Sequence, residues 1–216
     1  MGRYRNEILL ERRSGEGYGE TMSQGEIESI LRSLSSMEYM GLRGKAWQCL
    51  VAILWLFGKR ISEIVCLRTT DLSIRNEYLA ITFSILKKRK RRKDGTPNLT
   101  PPPRRTKRIT LENPYTQYVV DYWESIKDRE MFMFPRKETR TGHIYPKYVW
   151  DVIQKLDLPQ PVWTHLFRHS LATAMAEDRA TAYELKTWFD WEKITTADEY
   201  VSSVGLSTKR LSDRKW

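Results

Sequence analysis

Cysteine, histidine and long apolar runs are all scarce in this sequence, and each scarcity closes a route. Its 216 residues contain two cysteines, Cys49 and Cys66, and both fall inside apolar helical patterns. They read as small buried hydrophobes, not as a disulfide or a metal pair, which fits a reducing, intracellular setting. Three histidines, His143, His165 and His169, leave little for zinc, which takes three or four ligands. No apolar stretch approaches the ~20 residues a membrane helix needs; AWQCLVAILWLF, from Ala46 to Phe57, reads as a buried core helix. The N-terminal MGRYRNEILLERRSGEG lacks the apolar stretch of a secretory signal. There is no internal repeat. The length suits one domain, or one domain with a short arm, and 40% hydrophobic with 30% charged residues describes an ordinary soluble globular chain.

Acid is missing where base is dense. KKRKRRKDGTPNLTPPPRRTKR, Lys87 to Arg108, holds Lys87, Lys88, Arg89, Lys90, Arg91, Arg92, Lys93, Arg104, Arg105, Lys107 and Arg108 against Asp94 alone. This one segment carries the whole formal net charge of +10, and the rest of the chain is neutral. A concentrated basic element on a neutral body is the electrostatic footprint of a polyanion binder, usually nucleic acid. The plainer reading is a solvated loop or a localisation-like basic tract.

Around that segment the patterning is mostly helical. Residues 1–22 are polar and glycine-containing, an expected arm or linker. Ser23 with Glu26 forms a capping box, followed by Ile27, Ile30, Leu31 and Leu34 at helical spacing. A second helix is expected from about Leu42 to Leu56; Gly58 breaks it, and RISEIVCLRTTDL begins a third. YLAITFSIL (Tyr78 to Leu86) and RRTKRITL (ending at Leu111) read as two strands joined by the basic segment, where Asp94-Gly95 and Pro101-Pro102-Pro103 rule out continuous helix. YTQYVVDYWESI, YPKYVWDVIQKL, THLFRHSLATAMA, TAYELKTWF and TTADEYV are helical again. The expected class is mainly α with a small antiparallel β-sheet.

THLFRHSLATAMA places His165 and His169 on one helix face with Arg168 between them. Zinc is disfavoured: HLFRH has no glutamate, His143 is the only further histidine, and Arg168 repels a cation. Phosphate fits better. A guanidinium fork grips two oxygens while an imidazole handles a proton. The chain offers a second cation, Arg60, after the Gly58 break. It also offers a candidate nucleophile, Tyr200, nine residues after Trp191. Thr196 with Glu199 reads as a capping box that puts Tyr200 in the first turn of a short helix.

GKRISEIVCLRTTDL, HLFRH and the Trp191–Tyr200 pair, in that order, resemble the tyrosine recombinase (phage integrase) family over its catalytic domain. There the corresponding motifs read like GLRISELLxLRxxDI, HxLRHxxAT and LGHxxxxxTxxYxH. The likeness spans roughly residues 23 to 205, with 87–108 as a basic hairpin insertion and 206–216 as a tail. It implies the integrase catalytic-domain fold acting on double-stranded DNA as a multimer, dimer to tetramer. Carried over by position, Arg60 and Arg168 bind phosphate, His165 is the histidine of the second motif and Tyr200 is the nucleophile. Trp191 stands where many members have histidine and some tryptophan. The family's hairpin lysine, acid for the leaving oxygen, has no clear counterpart because the tight turn is replaced by the insertion. Lys88 and Lys87 are the first candidates and Lys107 the reserve. Most members also carry an N-terminal DNA-clamping domain that this sequence does not show, and the expectation is either a catalytic fragment or a chain that relies on its basic loop for grip.

The chemistry stands without the family name. Arg60 and Arg168 neutralise a phosphodiester and the extra charge of its trigonal-bipyramidal transition state without a metal. A phenol has a pKa of ~10; the arginines favour phenolate, and His165 accepts its proton. Attack by Tyr200 gives a 3′-phosphotyrosine and a free 5′-hydroxyl, conserving bond energy so that rejoining requires no ATP or other cofactor. Trp191 packs on the phosphate region or donates its indole N–H. Two other readings remain open at this level: a type IB topoisomerase-like relaxing activity, and a non-catalytic DNA-binding relative. The tail is expected to pack on a neighbouring protomer through Leu206, Leu211 and Trp216. The expected location is the cytoplasm, nucleoid-associated, of a prokaryotic or viral-host cell.

Overall fold

The computed structural model describes residues 21–86, 100–158 and 161–204. The expected arm (bar its last two residues), most of the basic insertion (Lys87, Lys88, Arg89, Lys90, Arg91, Arg92 and Lys93 included) and the tail with Leu206, Leu211 and Trp216 lie outside the described residues. By internal contacts the chain divides into two compact units, Met22–Leu171 and Ala172–Trp216 with Met1–Thr21.

The larger unit is built on one apolar helix. Helix α1 (Gln24–Leu34) starts at the predicted capping box, Ser23 and Glu26 each satisfying the other's backbone N–H, and buries Ile27, Ile30, Leu31 and Leu34. A short hairpin of β1 (Glu38–Tyr39) and β2 (Leu42–Arg43) turns through Met40 and Gly41, both at positive φ. It leads into α2 (Gly44–Phe57), which buries eleven of its fourteen residues. Leu50, Ile53, Leu54 and Phe57 are wholly shielded from solvent; each such side chain contributes about 1.5–3 kcal/mol through burial. α2 packs on α1 and on α4 (Thr116–Glu124), as expected for a helix apolar nearly all round.

Helix α3 (Ile61–Val65) is shorter than the sequence pattern predicts. The backbone that would extend it is taken by non-local partners: Thr69 N–H donates to Met131 O at 2.9 Å and Met133 N–H to Leu67 O at 2.8 Å. Thr69–Asp71 then forms a single 3₁₀ turn. Cys66, expected to be buried inside a helix, is half-buried just past its end, whereas Cys49 is fully buried.

The sheet has three antiparallel strands, not two: β3 (Leu72–Arg75), β4 (Tyr78–Ser84) and β5 (Arg104–Thr110), in that order. β4 and β5 are the two predicted strands, in the register Phe83↔Arg105, Ile81↔Lys107 and Leu79↔Ile109. Opposed residues share a face, so Arg105 and Lys107 lie on the face where Leu79, Ile81 and Phe83 are buried. Arg104, Thr106 and Arg108 lie on the other. Helices α5 (Pro146–Lys155) and α6 (Thr164–Glu177) follow. Met22 N–H donates to Ser170 Oγ at 2.8 Å, tying the start of this unit to α6.

In the smaller unit, α7 (Ala182–Phe189) begins at a capping box of Thr181 and Glu184, and α8 (Thr195–Ser203) packs against it. Among the described residues no helix is long and apolar enough to cross a membrane.

Candidate active site

Both predicted phosphate-binding arginines belong to the larger unit and are fixed to one turn. Gly58 ends α2 in the left-handed conformation at φ 56°, ψ 27°, which glycine adopts without steric cost. Two residues later Arg60 becomes the N-cap of α3. Its Nη1 donates to Glu63 Oε1 at 3.0 Å and its backbone N–H to Glu63 Oε2 at 3.2 Å. The Glu63 side chain is 1% exposed and that of Arg60 19%, so a buried carboxylate aims a guanidinium that stays partly open to solvent. Burial of such a carboxylate is stable only because it is paired.

Arg168, on α6 and 5% exposed, reaches the same turn. Its Nη1 donates to the carbonyl oxygen of Gly58 at 2.7 Å, across 110 residues of sequence. His165 precedes it by one helical turn and lies at the surface. Partial burial, then the charges of Arg168 and Arg60, push its pKa below the usual imidazole value of 6.5. The larger unit thus brings Arg60, His165 and Arg168 together, and the imidazole is held neutral at pH 7, able to accept a proton.

His169 is half-buried on α6. His143 lies in a loop, its Nδ1 2.8 Å from Ile144 O and its ring 5.0 Å from that of Phe132. Among the described residues no three His, Cys, Asp or Glu side chains gather as a metal site.

The predicted nucleophile belongs to the smaller unit. α7 ends on Asp190 in the left-handed conformation, φ 52°, where the resembled third motif has glycine. Trp191 follows and stacks with two rings: with Phe189 at 4.8 Å between centroids and with Tyr200 at 5.2 Å with ring planes 13° apart. Tyr200 is half-buried. The expected capping box of Thr196 and Glu199 does not form. Ile194 is the N-cap, its carbonyl accepting from Ala197 and Asp198 N–H at 2.8 and 3.0 Å. The helix therefore starts two residues early, and Tyr200 falls in its second turn, not its first.

Of the lysine candidates, Lys88 and Lys87 lie outside the described residues. Lys107 is half-buried on the inner face of the sheet, one same-face rung from the Phe83–Arg105 pair. Of the basic strand residues, Arg104 is engaged with Asp71 in an ion pair, while Arg105 and Arg108 are exposed. One side chain passed over in the sequence reading stands out: Lys59, between Gly58 and Arg60, is 1% exposed with its ammonium 5.5 Å from the centroid of Phe83. The available signal was its position, where the resembled first motif has leucine.

Comparison with known proteins bears on family and fold. The family model described as "Phage integrase family" matches residues 20–204. The tyrosine recombinase XerD of Listeria monocytogenes is 24% identical over 201 residues, covering 91% of this chain and 62% of that protein. XerC of Lactobacillus delbrueckii subsp. bulgaricus is 23% identical over 202 residues, covering 88% and 60%. The chain thus spans about three fifths of the length of these curated relatives. In structure it is similar to the XerH site-specific recombinase bound to palindromic difH substrate, with a TM-score of 0.64 at 14% identity over 93% of this chain and 56% of that one. It is also similar to XerA recombinase, with a TM-score of 0.63 at 14% identity over 91% and 66%; both likenesses speak to fold. With the family match covering both described units and all three sequence motifs, the chain belongs to the phage integrase family.

Proposed function

We propose that this chain is the catalytic part of a site-specific DNA recombinase that cuts and rejoins duplex DNA through a 3′-phosphotyrosine, without metal or ATP. The observation that carries the reading is the Gly58–Arg60 turn, to which two guanidiniums from distant parts of the sequence are fixed. Preorganised donors of this kind stabilise charge that develops in a transition state, at no reorganisation cost.

In the proposed reaction the Tyr200 oxygen attacks the scissile phosphorus, and its proton passes to the neutral imidazole of His165. Arg60 and Arg168 hold the non-bridging oxygens as the phosphorus becomes five-coordinate. The bond to the 5′-oxygen breaks, and that oxygen takes a proton from a lysine: Lys88, Lys87 or Lys107. Lys107 lies among the described residues, on the face of the sheet that carries Phe83. Trp191 holds the Tyr200 ring by stacking. The phosphotyrosine keeps the energy of the broken bond, and a 5′-hydroxyl from another strand reverses the step. Double-stranded DNA is the partner, bound in part through the basic segment 87–108, with two to four copies of the chain assembled on it. The cytoplasm of a prokaryotic or viral-host cell, at the nucleoid, is the place for such chemistry.

Trapping tests this directly. DNA nicked near the scissile linkage loses the short 5′-hydroxyl fragment and leaves a covalent adduct on a denaturing gel, mapped to Tyr200. Tyr200→Phe is expected to abolish the adduct and leave DNA affinity within about twofold, since one phenolic hydroxyl is a small part of a phosphate-dominated interface. A phenylalanine variant that still cuts overturns the assignment. A wild-type chain that binds without ever attaching is a binding relative. Sequence-indifferent relaxation of supercoils by a monomer makes it topoisomerase-like.

A further inference from the structure

The sheet carries more positive charge than the proposed cleavage chemistry uses. Its three strands contain no Asp or Glu, and register divides their basic residues between two faces. On the inner face Arg105 and Lys107 stand opposite Phe83 and Ile81. On the outer face Arg108 stands opposite Ala80, which is flanked on its other side by Ser73. Arg75 closes the β3–β4 hairpin against Tyr78, across a two-residue turn of Asn76 and Glu77, both at positive φ. Arg75 lies outside the basic segment 87–108; only the pairing of β3 with β4 brings it onto the face of Arg108. The two are one same-face row and two strands apart, roughly 7 Å along the strands and 10 Å across them.

This outer face suits the close approach of a polyanion. Between the arginines the side chains are small or hydroxylic: Ala80 is buried, and Thr82 and Thr106 bond to each other at 2.9 Å. Arg75, Arg108 and Tyr78 are exposed. Among the described residues no carboxylate pairs with Arg75 or Arg108; Arg104, at the far end of β5, is held by Asp71. A guanidinium stays charged at any physiological pH. Guanidinium and hydroxyl groups are the usual contacts of phosphate oxygens, whereas a protein partner meets an apolar centre, which this face lacks. β4 and β5 are also the strands that the basic segment joins, so face and segment are continuous in sequence.

We propose that the outer face of the sheet is a second DNA-contacting surface, on which Arg75 and Arg108 each neutralise a backbone phosphate of the duplex flanking the cleaved linkage. This rests on the recombinase reading above for the identity of the ligand. The face holds the duplex and leaves the reacting phosphate to Arg60 and Arg168. Its loss therefore falls on affinity and its salt dependence, not on the rate of attachment at saturating DNA.

The experiment measures binding of the nicked duplex by fluorescence anisotropy over a range of salt, with trapping rates on the same samples. Arg75→Gln and Arg108→Gln are each expected to weaken binding about fivefold at roughly 0.15 M salt and to lower the slope of log K against log salt by about 0.9. Arg75→Lys and Arg108→Lys keep the charge and are expected to keep the slope. Arg32→Gln, which removes one exposed charge from α1, controls for net charge and is expected to match wild type. Glutamine variants that bind like Arg32→Gln overturn the proposal. So does an equal loss of slope in the lysine variants, which makes the two positions structural. Unchanged DNA binding with weakened assembly of several copies also overturns it, by making the face a contact between protomers. The recombinase reading fails separately: wild type then binds the duplex but forms no adduct, and the slopes still decide whether this face touches DNA.

Discussion

His165 gives the most specific test at the level of single residues. Burial first, and then the Arg168 and Arg60 charges, disfavour its protonated form in the folded chain. An unfolded imidazole titrates near 6.5. Over the interval between the lowered folded value and 6.5 the unfolded chain therefore binds more protons, so stability falls as pH drops below 6.5 and is indifferent to this group above it. The expected NMR midpoint for His165 lies below 6.5 and rises in Arg60→Gln; an unshifted midpoint in wild type contradicts the arrangement. The candidate residues of this site could be picked out because they fall in short motifs: Arg60 after a glycine break, His165 and Arg168 three apart. The bond from Arg168 to the Gly58 carbonyl could not, because it joins positions 110 residues apart and no local pattern encodes it. Lys59 escaped notice for a related reason: a charged residue is read as solvated until its burial is seen.

Among elements, the junction of α1 and α2 makes the sharpest demand. Gly44, first residue of α2, has its backbone against the end of α1: a Cβ added there meets the Ser35 carbonyl oxygen at 1.9 Å and the Leu34 carbonyl oxygen at 2.9 Å. Backbone cannot step aside as a side chain can, so Gly44→Ala is expected to cost about 2 kcal/mol or more, read as a lower melting temperature or denaturation midpoint. Helices with strong periodicity were plain in the sequence, α1 down to its cap. Elements set by distant partners were not. α3 stops early because Met131 and Met133 pair with the backbone around Thr69 and Leu67. β3, four residues of modest apolarity, exists by pairing with β4. α8 begins on Ile194, which has no side-chain cap to announce it.

For the whole molecule, the proposed hold on DNA is a matter of charge. The net +10 resides in one segment of a neutral chain, so affinity is expected to fall steeply with salt as condensed counterions are released. With six to ten phosphates contacted, the loss is about 10³–10⁵ between roughly 50 and 200 mM; a flat response means the segment makes no phosphate contacts. Deleting residues 206–216 is expected to spare binding by one protomer and to weaken assembly of several on DNA, measured by gel shift or light scattering; unchanged assembly removes the tail from that role. A last consequence follows from the ring pair in the smaller unit. Tyr200 lies almost parallel to Trp191 at 5.2 Å, close enough for their electronic transitions to couple. Among the eight tryptophans of this chain, Trp191 thereby becomes an optical reporter. Near-ultraviolet circular dichroism, taken against Trp191→Phe, is expected to report, without a label, the proposed bonding of the Tyr200 phenol to a DNA phosphate.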